Sequence, residues 1–369
     1  MENRVKNITL TVAFGLFLGL FAVLCVIKFF APEESSVAER RPLAQFPEEI
    51  TWEGILDKSV IAEFEDYSVD QFPFREFFRS IKAHFQMDML QIKENNGLAV
   101  ESGSIAAVTP KFDEESVDYS LGRLAYVYEK LLKDNGGEKF VAIIPDKNYF
   151  FGRDYGYPAP DYEALIDRVQ GTLPEMQYIN LFPELTLEDY YLTDTHWSQD
   201  KLGKVVDKLA TQLGIRGELS GEYEKQQLYP FYGVYYGQSG LNPQPDTITY
   251  LTNETLENCT VYDYENAKTY GIYDFEKFGG KDGYEFFLSG TKALLRIDNP
   301  GATTEKELIL FRDSFGSSLA PLLAEGYKSI YVVDIRYVVP DYLEQFIDFQ
   351  GKDVLYLYST LILNARAFR

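Results

Sequence analysis

Apolar positions along this chain follow different rhythms in different stretches. From Asn7 to Ile27 the run "NITLTVAFGLFLGLFAVLCVI" holds 21 residues without a charge, and about 20 apolar residues are enough for a helix to cross the core of a bilayer. The polar, proline-bounded stretch from Pro32 to Pro47 has no sustained apolar period and reads as a linker. After it Ile61, Phe64 and Tyr67, then Phe77, Phe78, Ile81, Phe85 and Met89, recur at helical spacing on either side of Pro73. Further on, helical stretches over 114–133, 162–169, 198–213, 315–323 and 341–349 alternate with the short apolar runs "KFVAIIP", "MQYINLF", "ELILFR", "SIYVVDI" and "DVLYLYS". Strands separated by helices of that length imply βαβ crossovers, hence an α/β fold with a parallel sheet covered on both faces. Such sheets take ligands at the carboxyl ends of their strands. Between about 214 and 290 the pattern changes to turn residues and aromatics, which reads as an insertion of short strands and loops. Its tyrosines form either a small core of their own or a surface on which sugar rings stack.

The expected organisation is therefore a cytoplasmic stub and membrane-spanning anchor over 1–30, a linker over 31–50 and one domain over 51–369 that carries the insertion. Arg4 and Lys6 precede the apolar run and the acidic "PEESS" follows it, so the positive-inside rule keeps the N-terminus in the cytoplasm and places the domain outside, on a single-pass membrane protein. A cleaved signal peptide is the rival reading, with small residues at Ser36–Ala38, but the run is long for one and ends well upstream. Cys25 lies within the apolar run and Cys259 is the only other cysteine. No disulfide framework can stabilise the exported part, which must rely on core burial. A net charge of −22 argues against nucleic acid or an anionic lipid surface as ligand.

The chain has two histidines. His84 sits beside the apolar face of a helix and reads as a structural or surface residue. His196 lies in "YYLTDTHWSQDKLG", after a strand and before a helix whose expected N-cap is Ser198. Asp194 and His196, two apart in an extended loop at the sheet's carboxyl edge, can converge so that the carboxylate orients the imidazole and stabilises its cation. The nucleophile such a pair needs is offered by Ser314, where the strand 307–311 turns through Arg312 and Asp313 into a helix; the amides of the first helical turn can then donate to an oxyanion. Each piece alone has a plainer reading, a helix N-cap for the serine and a loop hydrogen bond or half a metal site for Asp-x-His. With no second histidine or cysteine nearby, a zinc site is disfavoured, and no metal or cofactor is expected.

Together, "ERRPLAQFP", "DYSVDQFPFRE", "IIPDKNYF", "LTDTHWSQDKLG", "GVYYGQSG" and "RDSFGSSLAPLLAEGYKSIYVVDIRY" resemble the DHHW family of exported proteins and the related alginate O-acetyltransferase family, both with three-layer, flavodoxin-like SGNH-hydrolase-like domains. The resemblance implies that Ser314, His196 and Asp194 are a catalytic triad. It implies an O-acetyltransferase of a cell-surface polysaccharide such as an exopolysaccharide or cell-wall polymer, working through an acetyl-serine beside a membrane-bound O-acyltransferase. Lys147, Arg336 and Trp197 lie in matching segments and are candidate substrate contacts. The sequence departs from the family pattern at Thr195, where the name-giving motif has its first histidine, and at Arg312, where the Gly-Asp-Ser block has glycine. Backbone amides near Ser314 are thus the expected oxyanion donors. An acetylesterase, or a non-catalytic polysaccharide-binding protein on the same scaffold, remains open at the level of sequence.

Overall fold

The structure is a computed structural model that describes residues 2–369. Its first element, α1 (Glu2–Phe30), contains a stretch from Arg4 to Phe30 that is long and apolar enough to cross a membrane; a signal sequence has the same properties. Residues 1–95 with 236–242 form one compact unit, and 96–235 with 243–369 form the other. The supposed linker is ordered: Ser35–Ser36 pairs with Arg41–Pro42, Arg41 makes a two-pronged ion pair with Asp70 at 2.6 and 2.7 Å, and the Gln71 side chain bonds the backbone of Glu33 and Ala44. The expected helices follow as α2 (Ser59–Asp70) and α3 (Arg75–His84), separated at Pro73.

The larger unit is built on one sheet. Its strands are β1 (Lys139–Ile144), β2 (Gln177–Asn180), β3 (Thr260–Asp263), β4 (Lys268–Tyr270), β5 (Leu294–Asp298), β6 (Glu307–Arg312), β7 (Ser329–Val333) and β8 (Asp353–Ser359), in the spatial order β4-β3-β5-β7-β6-β8-β1-β2. The five neighbours from β7 to β2 are parallel, while β5, β3 and β4 extend the sheet in antiparallel fashion. The anticipated α/β layering with a mostly parallel sheet is thus observed. The aromatic insertion is not a separate appendage, since β3 and β4 are strands of the main sheet; its other strands, 224–231 and 246–252, form a hairpin beside it.

Alternation along the central strands sends successive side chains to opposite faces. Leu308, Leu310, Leu355 and Leu357 pack with Val205 and Leu209 of the helix Gly203–Gln212 and Leu319 and Leu323 of the helix Phe315–Leu323. Ile309, Phe311, Val354 and Tyr356 pack on the other face against Leu121, Leu124, Leu165 and Val169. The covering helices are Glu114–Val127, Lys147–Tyr155, Tyr162–Thr172, Gly203–Gln212 and Phe315–Leu323. Two expected helices are shorter: Gln199–Lys201 is a 3-10 turn before the helix at Gly203, and Pro340–Gln345 is a 3-10 segment rather than an α-helix. The helix Lys147–Tyr155 carries no clear apolar period and was not anticipated.

Candidate active site

Ser314 is placed by Asp313. One Asp313 oxygen accepts the Phe315 amide at 3.0 Å, and the other accepts the Ser359 amide and hydroxyl at 2.8 and 2.6 Å. The carboxylate thus caps the helix Phe315–Leu323 and ties the end of β6 to the end of β8. Ser314 makes no side-chain capping bond itself. Its hydroxyl is free to point elsewhere, and it lies 2.7 Å from His196 Nε2. The plainer reading of this serine as an N-cap is set aside by that geometry.

The turn also narrows the choice of oxyanion donors. The amides of Phe315, Gly316 and Ser317 donate to Asp313 Oδ1, the Asp313 carbonyl and the Ser314 carbonyl, so the first helical turn is already satisfied internally. Gly316 is required here: a Cβ would come within 2.6 Å of Arg312 Cβ, and any larger residue would push the two segments apart.

The histidine loop is a tight hairpin. Tyr190 bridges Trp197, the Tyr191 amide donates to the His196 carbonyl at 3.1 Å, and the Ser198 amide donates to the Asp189 carbonyl at 2.8 Å. His196 Nδ1 lies 2.6 Å from Asp194 Oδ1, which also accepts the His196 amide at 3.0 Å, while Asp194 Oδ2 accepts the Val234 amide at 2.8 Å. Asp194, His196 and Ser314 therefore form one hydrogen-bonded chain. Burial pushes the Asp194 carboxyl up, but the neighbouring His196 and the two amides outweigh it and hold it at about 2. The acceptor is ionised at every ordinary pH.

Three further groups fix the loop. Asp246 accepts the Leu192 and Thr193 amides at 2.8 and 2.7 Å and the Thr193 hydroxyl at 2.5 Å. The Lys147 ammonium donates to the carbonyls of Tyr191, Leu192 and Asp194 at 2.8, 3.0 and 3.2 Å. Gly233 lies so close that a Cβ would sit 2.2 Å from the Thr193 carbonyl oxygen, which explains a glycine next to the Val234 amide. Against the imidazole, the Tyr284 ring stacks at 3.8 Å with an interplanar angle of 7°, and its hydroxyl is tied to Ser318 at 2.8 Å. Such a ring pair contributes about 0.5–1.5 kcal/mol beyond area burial, here spent on holding one rotamer of His196.

The three candidate substrate contacts all have protein partners in the structure. All three donors of Lys147 are taken by carbonyls, and burial pushes its ammonium down to about 7; it positions the Asp194 loop. Trp197 is fully buried, with its indole N–H donating to the Phe315 carbonyl and the Ser318 hydroxyl at 3.1 and 3.0 Å. It joins the histidine loop to the serine helix from beneath. Arg336 is half-buried and binds Asp334 through two donors at 2.8 and 2.6 Å. Arg312, in the place of the family's glycine, is buried with its Nη1 at 3.6 Å from the same Asp334 carboxylate. Sequence reasoning missed Tyr284, Asp246 and Val234, which arrive from the insertion, far along the chain; no local signal marks them. Ser198 bonds Asp200 at 2.8 Å instead of capping the next helix. Among the described residues no group of three or more His, Cys, Asp or Glu side chains is placed to hold a metal ion.

Residues 184–333 match the family described as DHHW protein, as the sequence motifs led us to expect. Among solved structures, the chain is similar to a DHHW family protein from Eubacterium siraeum, with a TM-score of 0.59 and 20% identity over 73% of this chain and 93% of that one. It is similar also to Bacillus cereus PatB1, solved with a sulfonyl adduct, with a TM-score of 0.56 and 17% identity over 72% of this chain and 95% of that one. The O-acetyltransferase domain of Pseudomonas putida AlgJ matches with a TM-score of 0.44 and 13% identity over 73% of this chain and 92% of that one. The first two of these likenesses show the fold. No curated protein matches the chain.

Proposed function

We propose that this chain is a membrane-anchored, extracytoplasmic serine O-acetyltransferase acting on a cell-surface polysaccharide. The observation that carries the reading is the continuous chain from Asp194 through His196 to Ser314, at 2.6 and 2.7 Å, with a serine hydroxyl that caps nothing. In the neutral imidazole, Nδ1–H donates to Asp194 and Nε2 accepts the Ser314 O–H. Ser314 Oγ attacks the carbonyl carbon of an acetyl donor as its proton passes to Nε2. The imidazolium then protonates the leaving group, and an acetyl-serine remains. In the second half a sugar hydroxyl gives its proton to Nε2 and attacks the acetyl carbon, and Ser314 recovers its proton from the imidazolium. Asp194 stays ionised throughout and stabilises the cationic ring at both stages. With the amides of Phe315, Gly316 and Ser317 engaged, the oxyanion falls to the amide of Ser314 itself.

Transfer and hydrolysis share the acyl-enzyme and differ in what attacks it. Incubating the full chain with an acetyl ester and a mixture of oligosaccharides should give an O-acetylated sugar faster than free acetate. Free acetate alone, whatever sugar is supplied, would make the protein an esterase. The membrane placement rests on Arg4 and Lys6 before an apolar helix and an acidic segment after it. Protease added to intact, wall-stripped cells should remove the domain while a cytoplasmic control survives; an untouched full-length chain would contradict it. A membrane-bound acyltransferase as acetyl donor is part of the same proposal.

A further inference from the structure

The helix α3 is built inside out. Two of its charged residues turn inward: Arg75 and Arg79 are 12% and 14% exposed and bind Glu39 at 2.7 and 2.9 Å, and Arg75 also approaches Asp70 at 3.2 Å, while Glu76, Lys82 and His84 stay exposed. Its phenylalanines turn outward: Phe74 and Phe77 are each 62% exposed, and Phe78, Ile81 and Phe85 are 42–49% exposed. A helix folded for water shows the opposite distribution, with its apolar stripe facing the core, and soluble proteins rarely leave a contiguous apolar surface of this kind bare.

What adjoins this face is α1. The Phe72 ring packs on Phe21 at 5.2 Å and on Phe78 at 5.6 Å, and an apolar groove is lined by Phe17, Phe21 and Leu24 of α1 with Phe74, Phe77 and Phe78. At 1.5 Å per residue Phe21 lies about 13 Å along the helix axis from Phe30, and half the thickness of a hydrocarbon core is about 15 Å. If α1 crosses a bilayer, its contact with Phe72 sets the start of α3 at the depth of the acyl chains.

We propose that the outer face of residues 72–85 is a second membrane-embedded surface, seated in the acyl-chain layer of the bilayer that α1 spans. The proposal rests on the spanning reading of α1 and adds to it an occupant for the apolar face. The inward ion pairs of Arg75 and Arg79 then have a reason: Glu39 and Asp70 keep two guanidinium groups out of the lipid, and Phe74, Phe77, Phe78, Ile81 and Phe85 offer the acyl chains ring and aliphatic surface. In this arrangement the protein is held at the membrane by two elements, a helix across it and a helix within its outer leaflet.

The chain carries its own optical background for a test. Its tryptophans are Trp52, which is 81% exposed, and Trp197, which is fully buried in the other unit. In a Trp52→Phe background, Phe77→Trp adds one reporter on the face and Phe17→Trp one on α1; Phe85→Trp is a second position on the face should the first disturb folding. The full-length proteins are reconstituted in phosphatidylcholine–phosphatidylglycerol vesicles whose acyl chains are brominated. Strong quenching of the Phe77→Trp and Phe85→Trp reporters, comparable to that of Phe17→Trp and absent in unbrominated vesicles, is the expected result. Quenching of Phe17→Trp alone would overturn the proposal while leaving the spanning helix intact, and would assign the face to a protein partner. No quenching at any position would overturn both.

Discussion

Ser314→Ala is expected to lower ester turnover by about six powers of ten, since removing the nucleophile of a serine triad costs about as much as removing the whole constellation. Stability should hardly change. Ser314 is half-buried and its hydroxyl makes no capping bond, so the loss is that of one hydrogen bond to His196, a net of about 1 kcal/mol. The helix start is held by Asp313 and not by Ser314, so alanine there leaves the turn intact. Turnover of an acetyl ester and the thermal midpoint, measured on the same preparation, separate the two effects. A variant with full turnover and a markedly lower midpoint would make the hydroxyl structural.

The second large effect concerns the two histidines. His196→Ala should reduce turnover about as far as Ser314→Ala, whereas His84→Ala should leave it unchanged, because His84 is exposed and pairs with Asp88 at 2.7 Å, one turn further along the chain. The two substitutions should also differ in acid. Asp194 is held at about 2, below its ordinary 3.8. The folded state thus gains stability that is fully present above the unfolded value and is lost as pH falls from about 4 towards 2. Removing His196 takes away the largest group that lowers this pKa, so the acid limb of the stability curve should shrink in His196→Ala and persist in His84→Ala. Because alanine also leaves a buried carboxylate without its ring partner, His196→Gln serves as a companion that retains a side-chain donor. Equal turnover in the His196 and His84 variants would remove His196 from the chemistry.

The parallel core of the fold and the three residues of the hydrogen-bonded chain were legible in sequence for the same reason. Strands such as "ELILFR" and "DVLYLYS" alternate between two buried faces, and both Asp-x-His and Asp-Ser follow strand ends, where the sheet delivers its side chains to one edge. What surrounds them was not legible, because it depends on contacts between distant segments. Asp246, Val234 and Tyr284 reach the loop from the stretch 214–290, whose aromatic composition suggested an independent insertion; β3 and β4 from the same stretch are instead strands of the main sheet. Lys147 and Trp197 are candidate substrate contacts from their place in matching motifs, and their partners in the structure, three carbonyls for the lysine and a carbonyl and a hydroxyl for the indole, come from segments that no local pattern connects to them. The segment 31–50 looked like a tether because it lacks apolar rhythm. It is ordered by polar contacts, chiefly those of Arg41 and Gln71, which periodicity does not report.

The account turns on Ser314 being a nucleophile activated by His196, and covalent labelling tests that most directly. An aryl sulfonyl fluoride reacts with an activated serine hydroxyl and not with an ordinary one, so it is the natural probe. Incubation of the full chain followed by peptide mass spectrometry should find one sulfonyl group on Ser314, blocked by prior acetyl-ester substrate and absent in His196→Ala. An unlabelled Ser314 in folded protein, or labelling that proceeds equally well without His196, would contradict the account.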